Sequence, residues 1–266
     1  MPRLAANLSL MFTELPFLDR FAAAADAGFG AVEFMFPYDW DPGQIAARAS
    51  AQHLDTVLFN CPAGDWAAGE RGIAALPDRI AECRDGVARA VDYARALGCS
   101  KLHLLAGVVP PGADRAQMHD VFVDNVRYAA DLVAGDGIEI LLEPINRRVD
   151  IPGYLHGSTA ETMAIIERVA RPNVRLQYDV YHMQIVEGDL IRHIEALIDR
   201  IGHVQIADNP GRAEPGTGEI NIHAILRRLD ALGYAGHVGC EYRPAAGTVA
   251  GLGWAAPYLD RPGRQL

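Results

Sequence analysis

Eight short runs rich in Val, Ile and Leu alternate with longer segments of helical period along the whole chain of 266 residues. The runs begin about 33 residues apart on average, which is the length of one βα unit. No hairpin signal joins any two of them. The pattern therefore predicts a single-domain (β/α)8 TIM barrel of the α/β class over residues 1–266. The predicted strands cover residues 4–8, 31–34, 56–59, 101–105, 139–142, 174–178, 203–206 and 237–240.

Between these runs, apolar residues recur at intervals of three and four and outline helical faces. Two such faces are formed by Ile80, Cys83, Val87, Val91, Ala94 and Leu97, and by Met118, Val121, Phe122, Val126, Ala129 and Leu132. Ser158 and Glu161 have the spacing of a capping box that opens another helix, and residues 191–198 indicate the next. Gly98, Gly202 and Gly233 are predicted to end helices just before a strand.

An open sheet with a nucleotide-binding fold is the rival architecture. No G-x-G-x-x-G follows a predicted strand and no G-x-x-x-x-G-K-[ST] occurs, so phosphate-cradling loops are not indicated. Stretches rich in Pro and Gly instead follow four of the predicted strands. In a barrel, such loops lie on the C-terminal face, where active sites are built. They cover residues 60–72, 108–114, 151–157 and 209–218.

Charge and cysteine usage limit the expected partners and compartment. The chain has 24 Lys and Arg against 34 Asp and Glu, a formal charge of −10, which argues against binding nucleic acid or an anionic membrane. Its four cysteines form no C-x-x-C pair and no zinc-ribbon spacing, as in a reduced protein. The N-terminus has no secretion signal and no apolar run approaches about 18 residues. These features predict a cytoplasmic protein.

Polar residues stand at or next to the ends of four consecutive predicted strands, the fifth to the eighth. They are Glu143, Asp179, Gln205 and Glu241. Neighbouring strands in a barrel lie about 4.8 Å apart, so these side chains can converge on one point. Three converging carboxylates repel one another unless a cation lies between them. Because carboxylate and amide oxygens are hard ligands, we expect Mg²⁺ or Mn²⁺ rather than zinc.

Each of these four residues also has a purely structural alternative. Glu143 is then a solvated charge at a strand end, and Asp179 caps the following helix. Gln205 satisfies backbone groups at the barrel rim. Glu241 forms a surface ion pair with Arg243. The joint pattern favours a shared metal site over four separate explanations.

Three further residues are candidates for binding substrate. His182 lies just beyond the sixth strand in a polar cluster, whereas His203 and His237 open strands and are interpreted as structural. Arg71 and Arg212 lie in Gly-rich loops and could recognise a small carboxylate in bidentate fashion; the alternative is simple solvation. The sequence has no H-E-x-x-H and no G-x-S-x-G, so it does not indicate a zinc peptidase or a serine hydrolase.

Seven segments together resemble the hydroxypyruvate isomerase family, which belongs to the xylose-isomerase-like TIM barrels. The resemblance extends over nearly the whole chain, and this combination of motifs is specific for that family. The segments are residues 5–9 (A-A-N-L-S), 64–72 (G-D-W-A-A-G-E-R-G), 143–146 (E-P-I-N), 177–184 (Q-Y-D-V-Y-H-M-Q), 203–208 (H-V-Q-I-A-D), 214–221 (E-P-G-T-G-E-I-N) and 239–242 (G-C-E-Y).

The resemblance implies an aldose-ketose isomerase that interconverts hydroxypyruvate and tartronate semialdehyde. Glu143 and Glu241 would transfer the protons, and together with Asp179 and Gln205 they would hold a divalent metal that stabilises the enediolate. Arg71 or Arg212 would hold the substrate carboxylate. His182 would hold a substrate oxygen. The resemblance also implies a role in glyoxylate metabolism.

Other functions remain open at this stage. A close relative, 2-oxo-tetronate isomerase, acts on a substrate one carbon longer, and residues 1–3 and 106–110 favour it; residues 66–72, 143–146 and 215–221 favour hydroxypyruvate. A non-catalytic barrel that binds sugar acids is a second alternative. The related endonuclease IV group depends on a His-rich metal cluster that this acidic chain lacks. The expected partner is a small hydroxy-keto acid, with a homo-oligomer as an open alternative.

Overall fold

Eight parallel strands close into a barrel in chain order in the computed structural model, which describes residues 2–259. The TIM barrel predicted from the strand spacing is thereby confirmed. Residue 1 and residues 260–266, the two ends of the predicted domain, lie outside the described residues. The strands are β1 (Arg3–Asn7), β2 (Ala31–Phe34), β3 (Asp55–Asn60), β4 (Lys101–His103), β5 (Glu139–Leu142), β6 (Val174–Asp179), β7 (Ile201–Ile206) and β8 (His237–Cys240).

Helices pack around the outside of the barrel. The α-helices are α1 (Arg20–Asp26), α2 (Pro42–Ala51), α3 (Ile80–Leu97), α4 (Arg115–Leu132), α5 (Thr159–Val169), α6 (Val180–Val186), α7 (Leu190–Leu197) and α8 (Ile222–Ala231). Short 3-10 helices cover Phe17–Asp19, Pro77–Arg79, Ile198–Arg200 and Ala250–Ala255. Helices α3 and α4 contain the two predicted apolar faces. No helix within residues 2–259 has both the length and the apolar character that crossing a bilayer requires.

The predicted helix ends are correct at two of the three glycines. Gly98 caps α3 with φ 63° and Gly233 follows α8 with φ 73°, both in the left-handed region that favours glycine. The prediction for Gly202 is wrong, because this residue lies inside β7. A Cβ at Gly202 would lie 2.7 Å from Leu141 Cδ2, so close packing explains the glycine there.

The predicted capping box opens α5, but shifted by one residue. The Ser158 hydroxyl accepts a hydrogen bond from the Glu161 backbone N–H at 3.2 Å, as expected. The Glu161 carboxyl group accepts from the Gly157 N–H at 2.6 Å rather than from that of Ser158. The helix start is therefore fixed by both side chains.

The strand register brings polar residues of adjacent strands to one level. Asp179 on β6 pairs with Gln205 on β7, which in turn pairs with Gly239 on β8. The register shifts at two places, between Val32 and Glu33 and between Leu176 and Gln177. Such irregularities re-aim side chains near functional sites. Alternate residues of these strands consequently face the interior of the barrel at its carboxyl end.

Candidate active site

A cavity of about 470 Å³ opens at the carboxyl ends of the strands. This is the face on which the sequence places the Pro/Gly-rich loops. Six of the seven predicted site residues line the cavity: Arg71, Glu143, His182, Gln205, Arg212 and Glu241. The seventh, Asp179, is fully buried at the end of β6 and contacts two of them. The strand order thus brings together residues that are far apart in sequence.

Within residues 2–259, Glu143, Asp179 and His182 form a cluster of possible metal donors. Each offers one ligand atom, and these atoms all lie within 4.8 Å of one another. His182 Nε2 lies 3.5 Å from Asp179 Oδ2 and 3.8 Å from Glu143 Oε1. Glu143 is only 5% exposed, which contradicts the alternative of a solvated strand-end charge. His182, predicted only as a contact to substrate, is placed within reach of a metal as well.

Asp179 serves two purposes at once. Its Oδ1 accepts a hydrogen bond from the Tyr181 N–H at 2.8 Å and so caps α6, the structural alternative predicted for it. Its Oδ2 faces the cluster, 3.5 Å from both His182 Nε2 and the Arg212 guanidinium. Capping therefore occupies only Oδ1, and Oδ2, which also accepts a hydrogen bond from Arg212, is the oxygen available to a cation.

Burial and mutual repulsion raise the pKa values of the clustered carboxyl groups. For Glu143, desolvation and the neighbouring Glu241 hold the pKa well above its usual range. Desolvation raises the pKa of Glu241 to about 8 and that of Asp179 to about 6, although Arg212 opposes both shifts. Ionising all three groups together is therefore unfavourable without an added positive charge.

Arg212 is the cation of this cluster, and its side chain is 16% exposed. Its guanidinium lies 2.9 Å from Asp150 and 3.5 Å from both Asp179 and Glu241. Burial lowers the pKa of Arg212, but Glu241 and the other carboxyl groups outweigh burial and raise it. The predicted alternative, an ion pair between Glu241 and Arg243, is replaced by the pair with Arg212. Arg243 instead donates its backbone N–H to the Arg212 carbonyl.

The loop that carries Arg212 is held by one carboxyl group at the end of β7. Asp208 accepts hydrogen bonds at 2.9 Å from four backbone N–H groups of the loop, those of Asn209, Gly216, Gly218 and Ile220. A Cβ at Gly218 would lie 2.7 Å from Asp208 Oδ1, which accounts for this glycine. Arg212 itself has a φ of 51° within the same loop.

Arg71 lies on the opposite side of the cavity, in a loop that is braced by its own contacts. Its guanidinium lies 4.3 Å from the centre of the Trp66 ring, and one nitrogen donates to the carbonyls of Trp66 and Glu70 at 3.0 and 2.7 Å. Trp66 in turn packs against Phe36 at 5.0 Å between ring centres. This arrangement holds the Arg71 side chain at the cavity wall.

Gln205 is held by side chains rather than by the backbone groups of its predicted structural alternative. Its Oε1 accepts a hydrogen bond from Gln177 Nε2 at 2.6 Å. Its Nε2 donates to Glu33 Oε1 at 2.8 Å. Both partners also line the cavity.

Three residues of this site escaped sequence reasoning: Glu33, His103 and Asp150. Glu33 and His103 lie within predicted strands and are buried, so their polarity among apolar neighbours was the available signal. His103 Nε2 lies 3.6 Å from Glu143 Oε2, and burial lowers the pKa of His103 to about 3. Asp150 lies in a loop after β5 and gives no such signal.

These residues fit a hard divalent cation. Glu143 Oε1 is buried and has no hydrogen-bond partner among residues 2–259. The carboxyl groups of Asp150, Asp179 and Glu241 lie within 3.5 Å of a single guanidinium, that of Arg212, and Glu143 lies close enough to help raise its pKa, so carboxyl groups outnumber the guanidinium. A cation bound beside Glu143 would offset the unfavourable ionisation of these groups.

Comparisons with known proteins agree with this architecture. The profile of the xylose isomerase-like TIM barrels matches residues 21–258. A 2-oxo-tetronate isomerase from Cupriavidus necator is 50% identical over 261 residues, which cover 98% of this chain and 100% of the relative. Hydroxypyruvate isomerase from Escherichia coli is 49% identical over 258 residues, covering 97% and 100% of the two chains. A solved structure from Brucella melitensis, described as an AP endonuclease of family 2, is 51% identical with a TM-score of 0.95 and covers 98% and 100%.

Proposed function

The chain belongs to the xylose isomerase-like TIM barrel family, and on this basis we propose that it is an aldose-ketose isomerase interconverting hydroxypyruvate and 2-hydroxy-3-oxopropanoate (tartronate semialdehyde). The observation that carries the proposal is the pair of buried carboxyl groups, Glu143 and Glu241, which line one cavity from β5 and β8. Similarity to the hydroxypyruvate isomerase of Escherichia coli over the full chain supports it.

Two carboxyl groups suit this reaction because a proton must leave one carbon and another must reach its neighbour. One glutamate takes a proton from C3 of hydroxypyruvate, and the electron pair forms an enediolate with C2. The other glutamate provides the proton that C2 receives, while the hydroxyl proton moves from the oxygen on C3 to that on C2. Carboxyl groups with raised pKa values can exchange protons near neutral pH.

A divalent cation, Mg²⁺ or Mn²⁺, held by Glu143, Asp179, Gln205 and Glu241 would supply electrostatic stabilisation of the charge that develops on the substrate oxygens. His182 lies beside this ligand set, and desolvation holds its pKa well below its usual range. Its imidazole is therefore neutral at pH 7 and can donate a hydrogen bond to a substrate oxygen. The Asn146 side chain, 2.7 Å from His182 Nδ1, fixes the ring orientation.

Arg71 is the better placed of the two predicted arginines to bind the substrate carboxylate. Its guanidinium is oriented by Trp66 and its charge is not shared with the carboxyl cluster. The Arg212 guanidinium already lies within 3.5 Å of three carboxyl groups. We assign Arg212 a different role, in which its guanidinium lies close to the reacting carbons of the substrate rather than at its carboxylate.

A second candidate is isomerisation of 2-oxo-tetronate. The Cupriavidus necator relative of that name is as similar to this chain as the hydroxypyruvate isomerase is. The two substrates differ by one carbon, and the cavity of about 470 Å³ has room for either. Hydrolysis of DNA is disfavoured, because a cavity lined by carboxyl groups on a chain of charge −10 repels a polyanion.

We further propose a cytoplasmic location and a role in glyoxylate metabolism. The four cysteines are free and buried, as expected for a reduced protein. The metabolic role rests on the resemblance to hydroxypyruvate isomerases.

The decisive experiment measures turnover of metal-stripped protein to which Mg²⁺ or Mn²⁺ is restored. Hydroxypyruvate and 2-oxo-tetronate are supplied separately, and the ratio of the two kcat/KM values identifies the substrate. Glu241→Gln should abolish isomerisation. Glu195→Gln is the matched control, because Glu195 pairs with Arg228 on the outer helices. Absence of turnover with either acid, in protein shown to hold metal, would contradict the proposal.

A further inference from the structure

Glu33 is a buried acidic residue at the floor of the cavity that the proposed reaction does not use. It lies on β2 and is 0% exposed. Its Oε1 accepts hydrogen bonds from Asn7 Nδ2 at 3.0 Å and from Gln205 Nε2 at 2.8 Å. Its Oε2 lies 2.7 Å from His203 Nε2. Each hydrogen bond that this carboxyl group makes within residues 2–259 is therefore with a side chain of another strand.

The contact between Glu33 and Gln205 determines the directions in which the oxygen and the nitrogen of the Gln205 amide point. An amide group has an oxygen that accepts and a nitrogen that donates, and the two ends have nearly the same shape. Glu33 Oε1 accepts from Gln205 Nε2, so the nitrogen of the amide points to Glu33. On the other side, Gln177 donates to Gln205 Oε1 at 2.6 Å. If the Gln205 amide were reversed, its oxygen would face the Glu33 oxygen, so that two acceptors would meet. Its nitrogen would face the Gln177 nitrogen, so that two donors would meet.

The backbone around Glu33 makes room for this arrangement. A Cβ on Gly239 would collide with the Glu33 carboxyl group, so only glycine leaves the space that Glu33 occupies. The register between β2 and β3 shifts immediately before Glu33. Gly239 also pairs directly with Gln205. Gly239, the glycine of the G-C-E-Y segment, thus contributes to the placement of both Glu33 and Gln205.

We propose that Glu33 is a positioning residue that holds the Gln205 amide with its oxygen, rather than its nitrogen, presented to the cation site. This inference rests on the proposed function, in which Gln205 is a metal ligand. A carbonyl oxygen accepts in two directions, so the bond from Gln177 leaves one lone pair of Gln205 Oε1 for a cation. An amide nitrogen facing the site would repel a cation. The orientation of the Gln205 amide therefore decides whether Gln205 contributes to cation binding.

The test is a double-mutant cycle on Mn²⁺ affinity, measured by calorimetry on metal-free protein. Glu33→Leu removes the acceptor and is expected to weaken Mn²⁺ binding about 10- to 100-fold, as loss of a residue that orients a ligand usually does. In a Gln205→Ala background the same change should have no further effect, because the ligand it orients is gone. Equal losses in both backgrounds would show a merely structural role and overturn the proposal.

Two further variants keep the test decisive if Glu33→Leu does not fold. Gly239→Ala retains every proposed ligand but displaces the Glu33 carboxyl group. It should therefore weaken Mn²⁺ binding when Gln205 is present and have no effect in the Gln205→Ala background. Glu33→Gln keeps one oxygen that can face Gln205 and should retain most of the affinity. A normal affinity in Gly239→Ala would contradict the proposal.

The outcomes separate this inference from the proposed function. If wild-type protein binds Mn²⁺ but Gln205→Ala does not weaken binding, Gln205 is not a ligand and the positioning role is overturned whatever the turnover. If the cycle behaves as expected and neither acid is isomerised, the positioning role stands and the assigned reaction fails. A wild-type protein that does not bind Mn²⁺ contradicts both.

Discussion

The two sides of the cavity are built from different kinds of residue. On the side of β5 to β8, the lining is mostly ionisable or polar, with Glu143, Gln177, His182, Gln205 and Glu241 beside the apolar Ile145 and Ile151. On the side of β2 and β3 and the loop that follows β3, large apolar side chains predominate: Phe34, Phe36, Leu58 and Trp66. Two ionisable residues stand among them, Glu33 on β2 at the floor of the cavity and Arg71, which is stacked on Trp66.

This difference indicates that the polar side carries out proton transfer and that the apolar side determines which substrate fits. The two glutamates directly follow β5 and β8, where the backbone is fixed by neighbouring strands on both sides, and His182 lies in α6, just after β6. The apolar side chains, with Arg71, shape the space left for the substrate. Substitutions on the polar side should therefore act mainly on kcat, and those on the apolar side mainly on KM.

The largest effect is expected on the polar side. Glu143→Gln keeps the size of the side chain but removes a proton-transfer group, and kcat for the preferred acid should fall about 1,000-fold, within the range typical of general acid–base catalysis. Steady-state kinetics with saturating Mn²⁺ measures this effect. Phe36→Leu on the apolar side should leave kcat within a few-fold of wild type. An equally large loss of kcat in Phe36→Leu would break the division between the two sides.

A smaller effect on a different parameter is expected for Arg71. Arg71→Met retains most of the packing on Trp66 but removes the charge, so KM should rise about 10- to 100-fold, which corresponds to the loss of about 1.5–3 kcal/mol for a charged hydrogen bond. The kcat value should change little. Arg192→Met provides the control, because it removes an exposed arginine of α7 whose ion pair within residues 2–259 is with Asp189. An unchanged KM for Arg71→Met would exclude Arg71 from carboxylate binding.

The smallest effect concerns the pH dependence of stability in the metal-free protein. The pKa of Glu241 is raised to about 8 and that of Glu143 is raised by burial, whereas both groups ionise near 4.5 when unfolded. Above about pH 7.5, histidines, which titrate near 6.5 when unfolded, are almost entirely neutral in both states, and the folded protein holds more protons than the unfolded one. The free energy of unfolding should therefore fall as pH rises above about 7.5, by at most about 1.4 kcal/mol per pH unit for each proton retained.

Denaturant titrations at several pH values measure this slope. Glu241→Gln should make it shallower, because glutamine does not ionise. Saturating Mn²⁺ should remove most of it, since a bound cation favours the ionised carboxyl groups. A slope that is the same in wild type and Glu241→Gln would show that the burial of this group does not govern stability.

The sequence predicted the barrel well because apolar runs and helical periods are local patterns. Asp179 and Glu241 were found for the same reason, since each directly ends a readable strand. The sequence did not reveal Glu33 as part of the site, because its role depends on Gln205 and His203, which lie more than 165 residues away along the chain. Gly202 was misread as a helix end, because its close contacts come from Leu141 and Arg175 on neighbouring strands.

The Asp208 carboxyl group, which binds four backbone N–H groups of the loop after β7, has a consequence for the entropy of substrate binding. Fixing the backbone of one residue costs about 1–2 kcal/mol in conformational entropy. The loop that carries Arg212 has already lost this freedom when the chain folds. A substrate that enters the cavity can therefore contact the Arg212 guanidinium without ordering the loop. The entropic cost of ordering the loop is met once, when the chain folds, and not each time a substrate binds.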